Sequence, residues 1–135
     1  VFSVIKREVY IIIAREFNES EKEDEMLIMI AGPYSAPTEE QRQQNLDALN
    51  RVAAQVLHQG HIPVIGMNAA LPVVEQAKPD NPYQAIMDIS LALAEKCDAV
   101  LMIGESPGAN MEREVFVRKG LPVYNELKEI PDASA

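Results

Sequence analysis

A chain of 135 residues and 15.0 kDa is long enough for one domain with a real core, and its 47% hydrophobic content is ordinary for a folded soluble protein. A net charge of −9 and a pI near 4.6 exclude a general nucleic-acid-binding surface, although one pocket can still be locally positive through backbone dipoles. The single cysteine, Cys97, and two histidines allow neither an internal disulfide nor a zinc site of the usual spacing, and no apolar run approaches the ~18 residues of a membrane span.

Residues 1–25 differ in character from the rest of the chain. Val9 to Ile13 is rich in β-branched and aromatic residues and reads as a strand. The acidic run from Glu19 to Glu25 reads as a solvated linker or a frayed helix. Residue 1 is not Met, and the module proper is expected to start near Met26, giving an N-terminal extension (1–25) and a single domain (26–135).

Met26 to Ala31 is a continuous apolar run, as in a parallel strand buried on both faces. It ends in the rigid loop Gly32-Pro-Tyr34-Ser-Ala-Pro37. Thr38 caps the following helix, whose Leu46, Leu49, Val52, Ala53, Val56 and Leu57 recur at helical spacing, and Gly60 stops it. His61 to Ile65 supplies a second strand. Gly66 to Pro82 carries three prolines and reads as either a short helix, Ala69 to Ala77, with loops, or a mobile flap. A helix then runs from Pro82 to near Lys96, and Asp98 precedes a third strand, Ala99 to Ile103. The stretch Ser106-Pro-Gly108-Ala-Asn110-Met-Glu112 leads into a last helix, read from Met111 to Lys119. Gly120 ends that helix, Leu121 to Tyr124 is a fourth strand, and the end of the polar tail that starts at Asn125 is expected to be disordered or to lie on a partner subunit.

Strands alternating with helices predict an α/β fold, a doubly wound, Rossmann-like or flavodoxin-like parallel sheet of four to five strands. Ligands in such sheets sit beyond the carboxyl ends of the strands, where the loops 32–37 and 104–110 would share one crevice. Glu112 has two readings: an ordinary carboxylate of a first helical turn, or a nucleophile or acid/base facing Tyr34 and Asp88. Asp88 is either the solvent side of an apolar helix or a second acid. Tyr34 is either a surface aromatic or a hydroxyl that orients a carboxylate. Ser106 is either a helix cap or an anion ligand. His58 and His61, flanking Gly60, are assigned no chemistry.

Together these residues resemble the nucleoside 2-deoxyribosyltransferase-like superfamily. The resemblance lies in Ala31-Gly-Pro-Tyr34, Gly60-His-Ile-Pro-Val64, Asp88, Cys97-Asp-Ala-Val100, Ser106-x-Gly108-x-x-x-Glu112 and Gly120-Leu-Pro-Val123. It spans about residues 26–124 and is strongest to the small members and the 2′-deoxynucleoside 5′-phosphate N-hydrolases. It implies cleavage of an N-glycosidic bond, with Glu112 as nucleophile, Asp88 assisting the leaving base and Tyr34 beside the nucleophile. Gly32, Ser106, Gly108 and Asn110 would bind substrate, Ser106 at a 5′-phosphate. Water or a second base would resolve the glycosyl-enzyme, giving a hydrolase or a transferase. Glu112 would stay ionised at a helix N-terminus while Asp88 is partly buried.

The expected partner is a small-molecule nucleoside or nucleotide, with no nucleic-acid polymer, no membrane, no metal and no cofactor. The expected setting is a cytoplasmic homo-oligomer. Two departures stand out: the 32–37 loop has no Lys or Arg for a phosphate, and Pro107 stiffens the loop before the last helix. The alternative is a non-catalytic nucleotide- or nucleoside-sensing module on the same fold.

Overall fold

The computed structural model describes residues 24–133 together with Lys6 and Val9. Four strands form one parallel sheet: β1 (Leu27–Ala31), β2 (Ile62–Val64), β3 (Ala99–Met102) and β4 (Val123–Tyr124), in the order β2-β1-β3-β4. Four helices connect them: α1 (Glu39–His58), α2 (Gly66–Ala77), α3 (Pro82–Ala94) and α4 (Pro107–Lys119). This is the doubly wound, Rossmann-like sheet that the pattern predicts. Lys6 and Val9 are helical and exposed, so Val9 departs from the strand read over 9–13, whose other residues lie outside the described ones. Among the described residues no helix is long and apolar enough to cross a membrane.

Side chains alternate across a strand, and the two central strands use both faces. Ile28 and Ile30 of β1, with Ala99 and Leu101 of β3, pack on Leu49, Ala53 and Val56 of α1. Met29 and Ala31, with Val100 and Met102, pack on Ala94 of α3 and on Val115 and Phe116 of α4. Both faces are dry, so both strands read as unbroken apolar runs. Thr38 caps α1 as expected, its hydroxyl accepting from Gln41 N at 3.1 Å. Gly60 ends that turn at φ +93°, a conformation that disfavours any side chain.

Three expectations are corrected by the fold. The 66–82 segment takes the helical of its two readings and ends at Ala77 as expected, but α2 starts at Gly66 rather than Ala69, directly after β2, runs through Pro72 and closes at Lys78 in a left-handed conformation. Helix α4 begins at Pro107, four residues before the expected start, because Ser106 caps it and proline at the first helical position needs no N–H partner. The tail folds back onto its own chain as far as Ala133, and its last two residues lie outside the described ones. Ile130 is buried in the core beside α1, and Ala133 N donates to Gln59 O at 2.9 Å.

His61 is the hinge of that tail. It is fully buried, Met26 N donates to its Nδ1 at 3.0 Å, and its Nε2 lies 2.6 Å from Pro131 O. With an N–H facing one nitrogen and a carbonyl facing the other, the ring is the neutral tautomer protonated on Nε2. It ties the start of β1 to the tail. His61→Ala would leave Met26 N–H and Pro131 C=O without their partner and empty a fully buried ring site, and is expected to lower the unfolding free energy by about 2–4 kcal/mol in urea titration. A loss under about 0.5 kcal/mol would show that the tie adds no stability.

Candidate functional site

In the order β2-β1-β3-β4 the chain leaves β1 towards one edge and returns on its other side, so the switch point lies between β1 and β3. The loops after these two strands are pressed together. A Cβ on Gly32 would come within 2.5 Å of Ile103 Cγ1, and one on Gly104 within 3.0 Å of Pro33 Cδ. Only glycine allows the Gly32 approach, and it turns Tyr34 and Ser35 towards a cavity of about 330 Å³. That volume is at the small end of the range for small-molecule sites.

The cavity is mostly apolar. Its floor and walls include Ile30, Leu49 and Ile65, with Met67 from α2, and Tyr83 and Met87 from α3. The start of α4 adds Ser106, Gly108, Ala109 and Glu112. Among the described residues no Lys or Arg lines it: Arg42 donates to Ala36 O at 2.9 Å, and Arg113 pairs with Glu105 at 3.3 Å.

Glu112 is the only acid among the described residues of the lining. Its residue is only 9% exposed, and its Oε2 accepts a short hydrogen bond from Ser90 Oγ. Burial pushes its carboxyl above the ordinary range, and the Ser90 hydrogen bond opposes that rise. Because α4 starts early, Glu112 sits in its second turn, one turn past Gly108 on the same face. From the sequence it was expected in the first turn, kept ionised by the helix end. Desolvation instead dominates, since the carboxylate is enclosed by three helices. Gly66, first residue of α2, makes room: a Cβ there would lie 1.9 Å from Ser90 Oγ and 3.2 Å from Glu112 Oε2.

The structure brings together Gly32, Tyr34, Ser106, Gly108 and Glu112 of the expected residues. It does not bring in Asp88 or Asn110. Asp88 is exposed and accepts from Gln84 Nε2 at 2.8 Å, because the inward stripe of α3 is Met87, Ser90 and Ala94, one helical turn apart each time. Asn110 lies two residues from both Gly108 and Glu112 and so turns about 200° away from their face. Its Oδ1 is buried without a hydrogen-bond partner, outside the cavity lining. Asp88 and Glu112 thus exchange the environments expected of them.

Comparison with known proteins bears on the same stretch. A family of domains of unknown function, DUF7768, matches residues 26–125. The chain belongs to the DUF7768 family. Among curated proteins no match to it is found. The matched span of this DUF7768 domain contains both switch-point loops, helices α1 to α4 and Glu112.

Ser90 and Gly66 were missed in the sequence. The signal for Ser90 was its place on the Met87–Ala94 stripe, where a small polar residue must find a buried partner. Cys97 is buried and held as the thiol. Its thiol is pushed up to about 11 by burial first and by Asp98 and Glu112 next, and it donates to Leu93 O at 3.3 Å.

The raised Glu112 carboxyl links stability to pH. In the unfolded chain it titrates in the ordinary carboxylate range, so folding favours the protonated form. That contribution is fully present below the unfolded value and is lost as pH rises through the folded one. Glu112→Gln removes the charge and keeps an acceptor for Ser90. It is expected to melt above the parent at about pH 8 and to lose that advantage by about pH 4. An advantage of equal size at both pH values would mean that the buried charge is not its source.

Proposed function

We propose that this domain cleaves the N-glycosidic bond of a nucleoside through a covalent glycosyl–Glu112 intermediate. The observation that carries the reading is a lone, buried carboxylate, held by a hydroxyl, in the wall of an apolar cavity between the two switch-point loops. A binding module has no use for such a group, whose burial opposes folding once it is ionised. The apolar walls with Tyr34 and Tyr83 suit a flat base and a sugar. The resemblance to the nucleoside 2-deoxyribosyltransferase-like superfamily gives the same chemistry.

In this reading Glu112 forms a bond to C1′ as the C1′–N bond breaks, and that bond's electron pair leaves with the base. The base takes its proton from water at the mouth beside half-exposed Tyr83. Water then attacks C1′ and frees Glu112, or a second base does so and the reaction is a transfer. Asp88 has no part in it, being outside the cavity.

The 5′ end is read as an uncharged hydroxyl. A phosphate at the start of α4 would meet Pro107, which has no N–H, and Ala109 N, which already donates to Ser106 Oγ at 3.1 Å. No cation among the described lining residues would offset its burial. The setting proposed is cytoplasmic, in keeping with a single, buried, unpaired thiol. Homo-oligomerisation stays in the proposal.

Incubation with deoxy- and ribonucleosides and their 5′-monophosphates, with free base followed by chromatography, tests the reading. Base release is expected from nucleosides, with kcat/KM at least about tenfold above that for the monophosphates. Glu112→Ala is expected to lower it by roughly 10³-fold or more, and Glu114→Ala, on the exposed side of α4, by less than about threefold. Tight nucleoside binding without base release would favour the sensor instead. Equal loss in both variants would remove Glu112 as the nucleophile.

A further inference from the structure

Three helices meet behind the cavity wall, and Ser90 of α3 is the point where they touch. It is 1% exposed, it does not line the cavity, and its hydroxyl donates to Glu112 Oε2 from the far side. We propose that Ser90 is a positioning residue for Glu112, pinning Oε2 behind the wall so that Oε1 is the oxygen presented to the ligand. The assignment rests on the glycosidase reading for its catalytic consequence, while the hold on the carboxylate is a property of the folded chain alone.

Two observations support a built arrangement rather than a chance contact. The first is Gly66, whose missing side chain is what lets Ser90 Oγ reach the carboxylate; any Cβ there would overlap that oxygen at 1.9 Å and Ser90 Cβ at 2.7 Å. The second is how firmly α3 is held. Met87, one turn before Ser90, lines the cavity, and Ala94, one turn after, is fully buried against the sheet. A glutamate side chain has three free torsions, and one fixed hydrogen bond at its tip removes most of that freedom.

Little else that titrates faces Glu112. Tyr34 comes from the β1 loop and Tyr83 from α3, both in the cavity lining, and Cys97 follows α3 with its thiol held protonated. Strands β1 and β3 carry no ionisable residue, and the acid of α2, Glu75, is exposed. On α4 itself Arg113 is paired with Glu105 and Glu114 is exposed. Ser90 is thus the one hydrogen-bond donor seen on the Glu112 carboxylate among the described residues. Losing it should raise the carboxyl further and let it swing.

The test compares the full chain with Ser90→Ala and Gly66→Ala. Carbon-13 NMR of the glutamate carboxyls, with the Glu112 signal identified by its absence in Glu112→Gln, reads the hold directly. Thermal melts establish that each variant is folded. The Glu112 titration is expected to move to higher pH in Ser90→Ala, and in the same direction in Gly66→Ala, whose new methyl displaces the hydroxyl. With a nucleoside substrate, kcat is expected to fall by about 10–100-fold, with KM within about threefold, and the acid limb of the pH profile to move up with the titration. Unchanged titration with only a lowered melting temperature would make Ser90 structural and overturn the proposal. A parent protein that releases no base from any nucleoside would overturn the glycosidase reading instead. The titration would then decide the hold by itself, a shift supporting it and coincident curves overturning it.

Discussion

The pairing of β1 with β3 is the constraint on which the rest of the molecule depends. These strands run parallel in a register that sets Ile28 opposite Ala99 and Ala31 opposite Met102, and Ile103 N extends it by donating to Ala31 O at 2.8 Å. Parallel strands cannot be joined by a tight turn, so each needs a helical crossover, and here the crossovers cover opposite faces. The chain therefore diverges at the carboxyl ends of this pair, leaving a gap that no helix fills. Gly32 and Gly104 let the two loops close to contact at the base of the gap, and α4 starts on its rim.

Glu112 stands at that rim at some cost to stability. A carboxylate enclosed by α2, α3 and α4 is desolvated, and its raised proton affinity measures the conflict between ionising and staying folded. One hydroxyl and one missing side chain relieve it: Ser90 provides a donor, and Gly66 provides the room for that donor to arrive. Larger rescue by a lysine or arginine is absent from the described lining, which keeps the carboxylate basic and the cavity apolar. In the proposed reaction a group so placed would attack more readily than a solvated glutamate, because little water has to be removed first.

The opposite end of the sheet is organised by a second buried polar residue. His61 joins Met26 at the head of β1 to Pro131 in the tail, and Ile130 closes the core beneath α1. The two ends divide the work. At one, every buried polar atom of the imidazole is matched by backbone, which stabilises. At the other, a carboxylate is only partly matched, and its burial raises its proton affinity.

Much of this was legible in the sequence, for physical reasons that can be named. Unbroken apolar runs at 26–31 and 99–103 mean strands covered on both faces. Helical spacing fixed α1 and most of α3, and the strand–helix alternation fixed the parallel sheet. The convergence of the 32–37 and 104–110 loops followed from topology, and with it Gly32, Tyr34, Ser106, Gly108 and Glu112. What only the tertiary structure decided depends on helix rotation and on enclosure. Asp88 and Ser90 are two residues apart on one apolar helix, and the direction in which that helix faces is set by packing against α2 and α4, not by its own composition. The facing of α4 likewise turns Asn110 away from the cavity, and the earlier start of that helix moves Glu112 from an exposed helix end to a buried second turn. The desolvation that governs Glu112 is a property of three helices meeting, which a local sequence window does not contain.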